Sequence, residues 1–140
     1  DTGLLISHAF DEKQIVSNEL YRKLLLDKLE VNAGMLIENI VAQMLVAAGH
    51  NLYFYSNSDK EEAENRMEID FLIRKDEVTS RHNIIPIEAK SSSGYTTHSL
   101  NKCAQKFKEY ITLPTVLHPA DYKEDTDGKR YLPLYMTPLL

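Results

Sequence analysis

Apolar residues recur at helical spacing in the first third of the chain. Within residues 15–24 they return every three or four positions, which predicts one or two short helices. A clearer helix is predicted over about residues 32–49, because the apolar side chains between residues 37 and 48 share one face. Gly49 follows that stripe, at the position where glycine commonly ends a helix.

The apolar period changes from 3.6 to 2 after this helix. Residues 52–55, 68–74 and 83–90 are rich in β-branched and aromatic side chains. Their pattern predicts three successive strands, as in a meander. The polar residues 56–65 and 75–82 between them are predicted to form surface loops.

A second amphipathic helix is predicted after the serine-rich end of the third strand. Its apolar stripe extends over residues 100–111, and Pro114 ends it. Residues 115–117 and 131–136 are predicted to be two further strands, separated by a charged turn at residues 121–130. The pattern therefore predicts an α/β domain in the order αβββαββ, with extra N-terminal helices.

The composition is that of one globular domain. The chain has 140 residues, of which 43% are hydrophobic and 26% charged, so we expect residues 1–140 to form a single domain. The net charge of −5 argues against a protein that coats nucleic acid through bulk positive charge. One cysteine precludes an internal disulfide, and no stretch approaches the roughly 20 apolar residues that span a bilayer. These features predict a cytoplasmic protein without membrane contact.

Charged residues in two predicted strands carry the most specific chemistry. Glu88 and Lys90 lie two positions apart in the third strand, so their side chains share one face. Asp70 lies in the second strand, on the face opposite Ile69, Phe71 and Ile73. Because meander pairing lays these strands side by side, two carboxylates and an ammonium group are predicted to converge.

Such a cluster suits a hard divalent cation. Mg²⁺ prefers oxygen ligands and usually takes only one or two carboxylates from the protein. A bound ion polarises a phosphoryl oxygen, and a nearby lysine stabilises developing negative charge, so the cluster suits phosphodiester hydrolysis. Glu38 lies at the edge of the apolar stripe of its helix and could supply a further ligand if that helix packs beside the sheet.

An acidic residue in a helix, an aspartate in one strand and Glu-x-Lys at the end of the next resemble the PD-(D/E)xK nuclease superfamily, which has the restriction-endonuclease-like fold. Residues 1–5, 34–41, 68–73 and 86–90 look like successive blocks of one branch of it. That branch is the uncharacterised C-terminal domain attached to many bacterial and archaeal AAA-type ATPases. The resemblance extends from the first residue to about residue 113.

The resemblance implies an αβββαβ core with a mixed central sheet flanked by helices. It implies that Asp70 and Glu88 bind Mg²⁺ or Mn²⁺, that Glu38 takes the acidic position in the helix, and that Lys90 is the catalytic lysine. It also implies that an ATPase module precedes this domain in the same chain, and that DNA or RNA is the substrate. Ile69 departs from the superfamily pattern, which has proline before the aspartate.

The sequence leaves more than one function open. The first is a metal-dependent nuclease. The second is a catalytically silent accessory domain of the same fold, which mediates contacts between the ATPase and a partner or nucleic acid. The acidic surplus and the missing proline favour this second function. A third interpretation, an α/β domain without nuclease kinship, would follow if Asp70 and Glu88 lay too far apart to share one ion.

Several other residues are interpreted as structural. None of the five histidines has the spacing of a zinc site, and they are predicted to lie on the surface. The aromatic residues 53–55 could stack on a base, but such residues in a strand more often belong to the core and its rim. Lys102 and Lys106 contact phosphate or keep their helix face soluble. Cys103 lies on the apolar stripe and is predicted to be an inert buried thiol.

Overall fold

The computed structural model describes residues 33–59, 65–75 and 81–140. Its elements are, in chain order, α1 (Ala33–Ala47), β1 (Tyr53–Asn57), β2 (Met67–Arg74), β3 (Ile84–Ala89), α2 (His98–Lys106), β4 (Thr115–His118), β5 (Lys123–Glu124), β6 (Arg130–Pro133) and a 3₁₀ helix (Leu134–Leu139). The helices predicted over residues 15–24, and the first block of the family resemblance, lie outside the described residues. Within the described ranges, neither helix combines the length and hydropathy needed to cross a bilayer.

α1 begins and ends close to its predicted bounds. Its apolar stripe places Val41 and Leu45 in the core. Gly49 has a φ of +96°, which L side chains rarely adopt, and the N–H of His50 donates to the carbonyl of Leu45 at 3.0 Å. The prediction of a helix ended by Gly49 is therefore confirmed.

α2 is shorter than its apolar stripe predicted. The N–H of Ile84 donates to the carbonyl of Tyr110 at 3.0 Å, and the N–H of Thr112 donates to the carbonyl of Ile84 at 2.8 Å. Because the backbone of residues 110–112 pairs with the start of β3, it cannot continue a helix. Ile111 still packs against the core on the α2 side. The apolar stripe of residues 100–111 therefore indicated correctly which residues pack, but not where the helix ends.

In the described part of the chain, six strands form one mixed sheet in the order β1-β2-β3-β4-β6-β5. β1, β2 and β3 are antiparallel neighbours, which confirms the predicted meander. β4 is parallel to both β3 and β6, so the carboxyl ends of these three strands lie at one end of the sheet. The α/β class, with a mixed sheet flanked by helices, is confirmed.

The last strands differ in detail from their prediction. The charged segment predicted as a turn contains β5, which is two residues long and exposed at the edge of the sheet. A strand this short shows no alternation of buried and exposed positions. β6 ends at Pro133 and does not continue to residue 136. Proline has no N–H to extend the ladder, and a 3₁₀ helix follows.

Two apolar clusters cover the two faces of the sheet. The cluster on the α1 side consists of Val41, Leu45, Phe71, Ile73, Ile85, Ile87, Ala89, Leu117 and Leu132. The cluster on the α2 side consists of Met67, Ile69, Leu100, Cys103 and Val116. The consecutive residues Val116 and Leu117 belong to different clusters, as the alternation of side chains along a strand requires.

β2 contains a β-bulge that breaks this alternation. The register of β1 with β2 shifts between Tyr53 and Tyr55, so that β2 has one residue more than β1 at this point. Ile69 consequently belongs to the α2-side cluster and Phe71 to the α1-side cluster, although they are two positions apart. The prediction that Asp70 lies opposite both residues on a regular strand is wrong, because the extra residue reorients it.

Truncation of Leu45 tests the α1-side cluster. This side chain is fully buried, whereas its neighbour Val46 is 57% exposed. We expect Leu45→Ala to lower the free energy of unfolding by about 2–5 kcal/mol, because it removes buried methyl groups and leaves a cavity. Val46→Ala is the matched control and should change this free energy by less than about 0.5 kcal/mol. Urea unfolding followed by circular dichroism measures both, and equal losses would contradict the packing described.

Candidate functional site

The end of β3 carries a buried carboxylate. The side chain of Glu88 is 3% exposed, and its Oε2 atom lies 3.0 Å from Nζ of Lys90. A buried charge is costly unless it is paired, so this ion pair offsets much of the cost. Within the described residues, Oε2 accepts no well-aligned hydrogen bond, which leaves it with open acceptor capacity.

The Glu88 carboxylate also meets the amino end of α2. The backbone N–H of Leu100, the third residue of α2, donates to it. Thr97, at the N-cap position, makes no side-chain hydrogen bond to the helix. Glu88 therefore satisfies one of the N–H groups that a helix leaves unpaired, and the partial positive charge of the helix end favours the carboxylate.

Asp70 reaches β3 from the bulge in β2. Its Oδ2 atom accepts a hydrogen bond from the N–H of Ala89 at 2.8 Å. The backbone register of β2 with β3 ends at the pair of Phe71 and Ile87, so this bond lies just beyond the ladder. It holds the Asp70 carboxylate beside the Glu-x-Lys segment.

The four predicted residues surround one cavity of about 320 Å³. Glu38 extends from α1, Asp70 from β2, and Glu88 and Lys90 from the end of β3. The remaining lining residues are Glu68, Thr96, His98 and Ser99. The structure thus brings together all four residues that the sequence singled out, and their roles stay predictions.

The additional lining residues belong mostly to the amino end of α2 and the segment before it. Their approach to Asp70 depends on the packing of α2 against β2 and β3, which spacing along the chain does not encode. His98, predicted to be a surface residue, lines the cavity. The sequence could have pointed to Glu68, because it lies two positions before Asp70 in the predicted strand, a spacing that puts two side chains on one face of a regular strand. Its N–H donates to the Ser99 hydroxyl at 3.5 Å.

Burial raises the pKa of three carboxyl groups in this cavity. For Glu88, burial is the largest cause, Lys90 lowers the pKa and Asp70 raises it. Burial also raises the pKa of Asp70, against a backbone N–H and Lys90. The pKa of Glu38 is raised by burial and then by Asp70 and Glu68. One ammonium group does not neutralise these carboxylates, so a further cation would relieve their repulsion.

Four carboxyl groups line the cavity, and Asp70 and Glu88 are the two that the sequence predicts to bind a metal ion. Across residues 33–59, 65–75 and 81–140, no group of three or more His, Cys, Asp or Glu side chains is arranged to hold a metal ion. Asp70 and Glu88 alone match what Mg²⁺ usually takes from a protein, since water and substrate complete its coordination. Direct ligation by Glu38 stays a prediction.

His118, at the end of β4, is buried, so the prediction of a surface histidine is wrong here. Its Nε2 atom lies 3.1 Å from the carbonyl oxygen of Asp121, which only accepts, so we assign the proton to Nε2. Nδ1 then accepts from the Tyr95 hydroxyl at 2.9 Å. Because Tyr95 precedes Thr96, this hydrogen bond positions one wall of the cavity. The contact with Tyr95 is formed by residues distant in the chain, so the spacing of the histidines could not predict that this ring is buried.

The aromatic residues of β1 divide between surface and core. Tyr53 is 60% and Phe54 77% exposed. Tyr55 is partly buried against the α2-side cluster, where its ring meets Phe107 edge-on. The prediction of core and rim is therefore correct for Tyr55 and wrong for the other two residues, which are exposed on a strand at the edge of the described sheet.

Three other residues of α2 have structural contacts. Nζ of Lys102 donates to the carbonyl of Arg66 at 3.2 Å, and Nζ of Lys106 donates to Oδ1 of Asn65 at 3.1 Å. These contacts tie α2 to the residues before β2. Cys103 is buried, and burial raises its pKa to about 11, so it stays a thiol at neutral pH. The prediction of an inert cysteine is consistent with this environment.

Asp70→Asn tests the electrostatic cost of the site. The amide oxygen can still accept from Ala89, while the negative charge is lost. Because folding raises the pKa of Asp70, ionisation costs stability at neutral pH. We therefore expect the variant to be more stable at about pH 7, on the scale of single stabilising substitutions, about 0.5–2 kcal/mol. The gain should shrink as the pH falls through the raised pKa and vanish below 3.8, where wild-type Asp70 becomes protonated in both the folded and the unfolded state.

Thermal unfolding across this pH range measures the effect. Asp127→Asn, in an exposed turn, is the control and should show no such gain. A lower stability of Asp70→Asn than of wild type at neutral pH would contradict the interpretation.

Tyr95→Phe tests the contact that positions the cavity wall. It removes the hydroxyl donor and leaves Nδ1 of buried His118 without a partner from Tyr95, so the free energy of unfolding should fall by about 1–3 kcal/mol. In the control Tyr122→Phe, the lost hydroxyl is exposed and donates to exposed Glu124, so the change should be below about 0.5 kcal/mol. Urea unfolding compares the two, and equal effects would show that the buried hydrogen bond is unimportant.

Comparison with known proteins gives a family match. The model of a family described as a domain of unknown function (DUF4143) matches residues 33–136, which include all four residues predicted for the site. Searches of curated proteins and of solved structures each found no match. The family match covers 104 of the 140 residues, and the chain therefore belongs to the DUF4143 family.

Proposed function

We propose that this domain is a metal-dependent nuclease of the PD-(D/E)xK superfamily, which hydrolyses phosphodiester bonds of DNA or RNA. The observation that carries the proposal is the convergence of Asp70, Glu88 and Lys90 at one polar cavity. The order α1-β1-β2-β3-α2-β4 agrees with the αβββαβ core of the restriction-endonuclease-like fold.

Asp70 and Glu88 would hold the metal ion, Mg²⁺ or Mn²⁺. Both carboxyl groups have a raised pKa, caused chiefly by burial, which means that their ionised forms are destabilised in the folded chain. A bound cation would stabilise these ionised forms. The open acceptor capacity of Glu88 Oε2 supports the same assignment. When bound, the ion would supply Lewis acidity toward a phosphoryl oxygen and the attacking water.

Lys90 is suited to stabilise the reacting phosphate. Its side chain is 26% exposed, so the ammonium group reaches both buried Glu88 and the open cavity. An ammonium group has three donors and can keep its pairing with Glu88 while it donates to a phosphate oxygen or to water. Such donation stabilises the negative charge that develops as the phosphodiester bond breaks.

The sequence resemblance supports two further parts of the proposal. It suggests that this domain follows an AAA-type ATPase module in the same polypeptide. It also suggests that the two modules act together. In this arrangement, the ATPase would move or remodel the nucleic acid that the nuclease domain cuts.

One observation favours the catalytically silent accessory domain as a second candidate. Glu88 already has structural partners in Lys90 and in the N–H of Leu100, so its burial is compensated without a metal ion. In that function, the cluster would stabilise the junction of β3 with α2 and leave nucleic acid intact.

Cleavage assays test the nuclease. The wild-type chain should cleave DNA or RNA with Mg²⁺ or Mn²⁺ and stop when EDTA removes the metal. Asp70→Ala and Lys90→Ala should each lose about 100-fold or more of the rate, because each removes a charged group that acts on the reacting phosphate or its metal. Lys108→Ala is the control, since this exposed lysine lies outside the cavity. Intact single-stranded, double-stranded and branched substrates with both metals would contradict the proposal.

Calorimetric titration separates the two candidates. Mn²⁺ should bind the wild-type chain and fail to bind Glu88→Gln, whose amide oxygen can still accept from Leu100. No heat of binding to wild type at about millimolar Mn²⁺ would favour the accessory domain.

A further inference from the structure

A second groove joins the acidic cavity on the α1 side. It has a volume of about 440 Å³ and shares Glu38, Glu68 and Asp70 with the cavity. The rest of its lining is mostly apolar and consists of Met35, Asn39, Ala42, Phe54, Ile69 and Phe71. An occupant of this groove would therefore touch an apolar wall while its neighbouring atoms reach the acidic cavity.

Phe54 is the open aromatic ring of this groove. The bulge in β2 leaves Phe54 opposite Asp70 and Phe71, so the ring lies beside the predicted metal ligand. It is 77% exposed, on an edge strand of the described sheet. A ring this exposed gains little from burial in the free chain, and one face is available to a flat partner.

We propose that Phe54 is a stacking platform for an unpaired base next to the phosphodiester that enters the acidic cavity. This inference rests on the proposed function and names its substrate class, single-stranded nucleic acid. Charge favours phosphate in the cavity and a base in the groove. Both are lined by Glu38 and Glu68, but Lys90, which attracts phosphate, lines only the cavity, and a base is neutral.

Stacking explains why the substrate is single-stranded. In an intact duplex each base is stacked between its neighbours, so its face is not open to a protein ring. An unpaired base has a free face, and its stacking on an aromatic side chain strengthens binding with little dependence on sequence. The domain should therefore prefer single strands and frayed ends to an intact duplex.

Fluorescence gives a direct test, because the chain contains no tryptophan. Phe54→Trp places a single reporter on the platform. Tyr53→Trp is the matched control, since Tyr53 is also exposed but lines a different cavity. Oligo(dT) or oligo(rU) should quench the fluorescence of Phe54→Trp and leave that of Tyr53→Trp unchanged. An abasic oligonucleotide of equal length should quench neither, and the two homopolymers distinguish DNA from RNA.

Affinity measurements complete the test. Phe54→Ala should weaken the binding of the single-stranded oligonucleotide about tenfold, the scale of one lost stacking contact. Phe54→Tyr keeps the ring and should retain the affinity, and Tyr53→Ala should bind like wild type. Circular dichroism verifies that each variant is folded.

The outcomes separate this inference from the proposed nuclease. If wild type cleaves but Phe54→Ala binds and cleaves as wild type does, the platform is wrong and the nuclease stands. If Phe54→Trp is quenched but wild type cleaves nothing with either metal, the platform stands and the nuclease is wrong. If no oligonucleotide binds, or if Tyr53→Ala loses as much affinity as Phe54→Ala, the platform is overturned.

Discussion

The burial of the Glu88 carboxylate is the constraint on which the arrangement of the site depends. A carboxylate this deep needs compensation, and it obtains it from the ammonium group of Lys90 and from the N–H of Leu100 at the amino end of α2. The same contacts fix the end of β3 against the helix that forms one wall of the cavity. The Glu88 carboxylate therefore contributes both to the stability of the fold and to the proposed chemistry. Any cation that binds Glu88 must compete with Lys90 or bind beside it.

The bulge in β2 is the second constraint. Because β2 has one extra residue here, the Asp70 side chain departs from the regular alternation of the strand. Its carboxylate can therefore accept a hydrogen bond from the N–H of Ala89. The same irregularity leaves Phe54 across from Asp70, which opens an apolar groove beside the acidic cavity. A polar site for phosphate and metal and an apolar site for a base would thus arise from a single local feature of the sheet.

Much of the fold was predictable because its signals are local. Helical spacing and Gly49 predicted α1, and alternating apolar residues predicted β2 and its neighbours. The candidate site residues could be named because two-residue spacing puts Glu88 and Lys90 on one face of a strand, and their roles stay predictions. The prediction failed where distant segments compete for the backbone. α2 ends early because residues 110–112 pair with Ile84, and Phe54 is exposed on a strand at the edge of the sheet that the described residues form.

The sequence by itself determined the α/β class, most of the elements and which acidic residues to consider as a site, because periodicity and residue chemistry are properties of short segments. Tertiary structure alone decided that His118 is buried under Tyr95, that His98 and Ser99 line the cavity, and that Glu88 caps α2. Each of these depends on residues distant in the chain. Their approach is set by how α1 and α2 pack on opposite faces of a bulged sheet, which no local pattern of apolar and polar residues specifies.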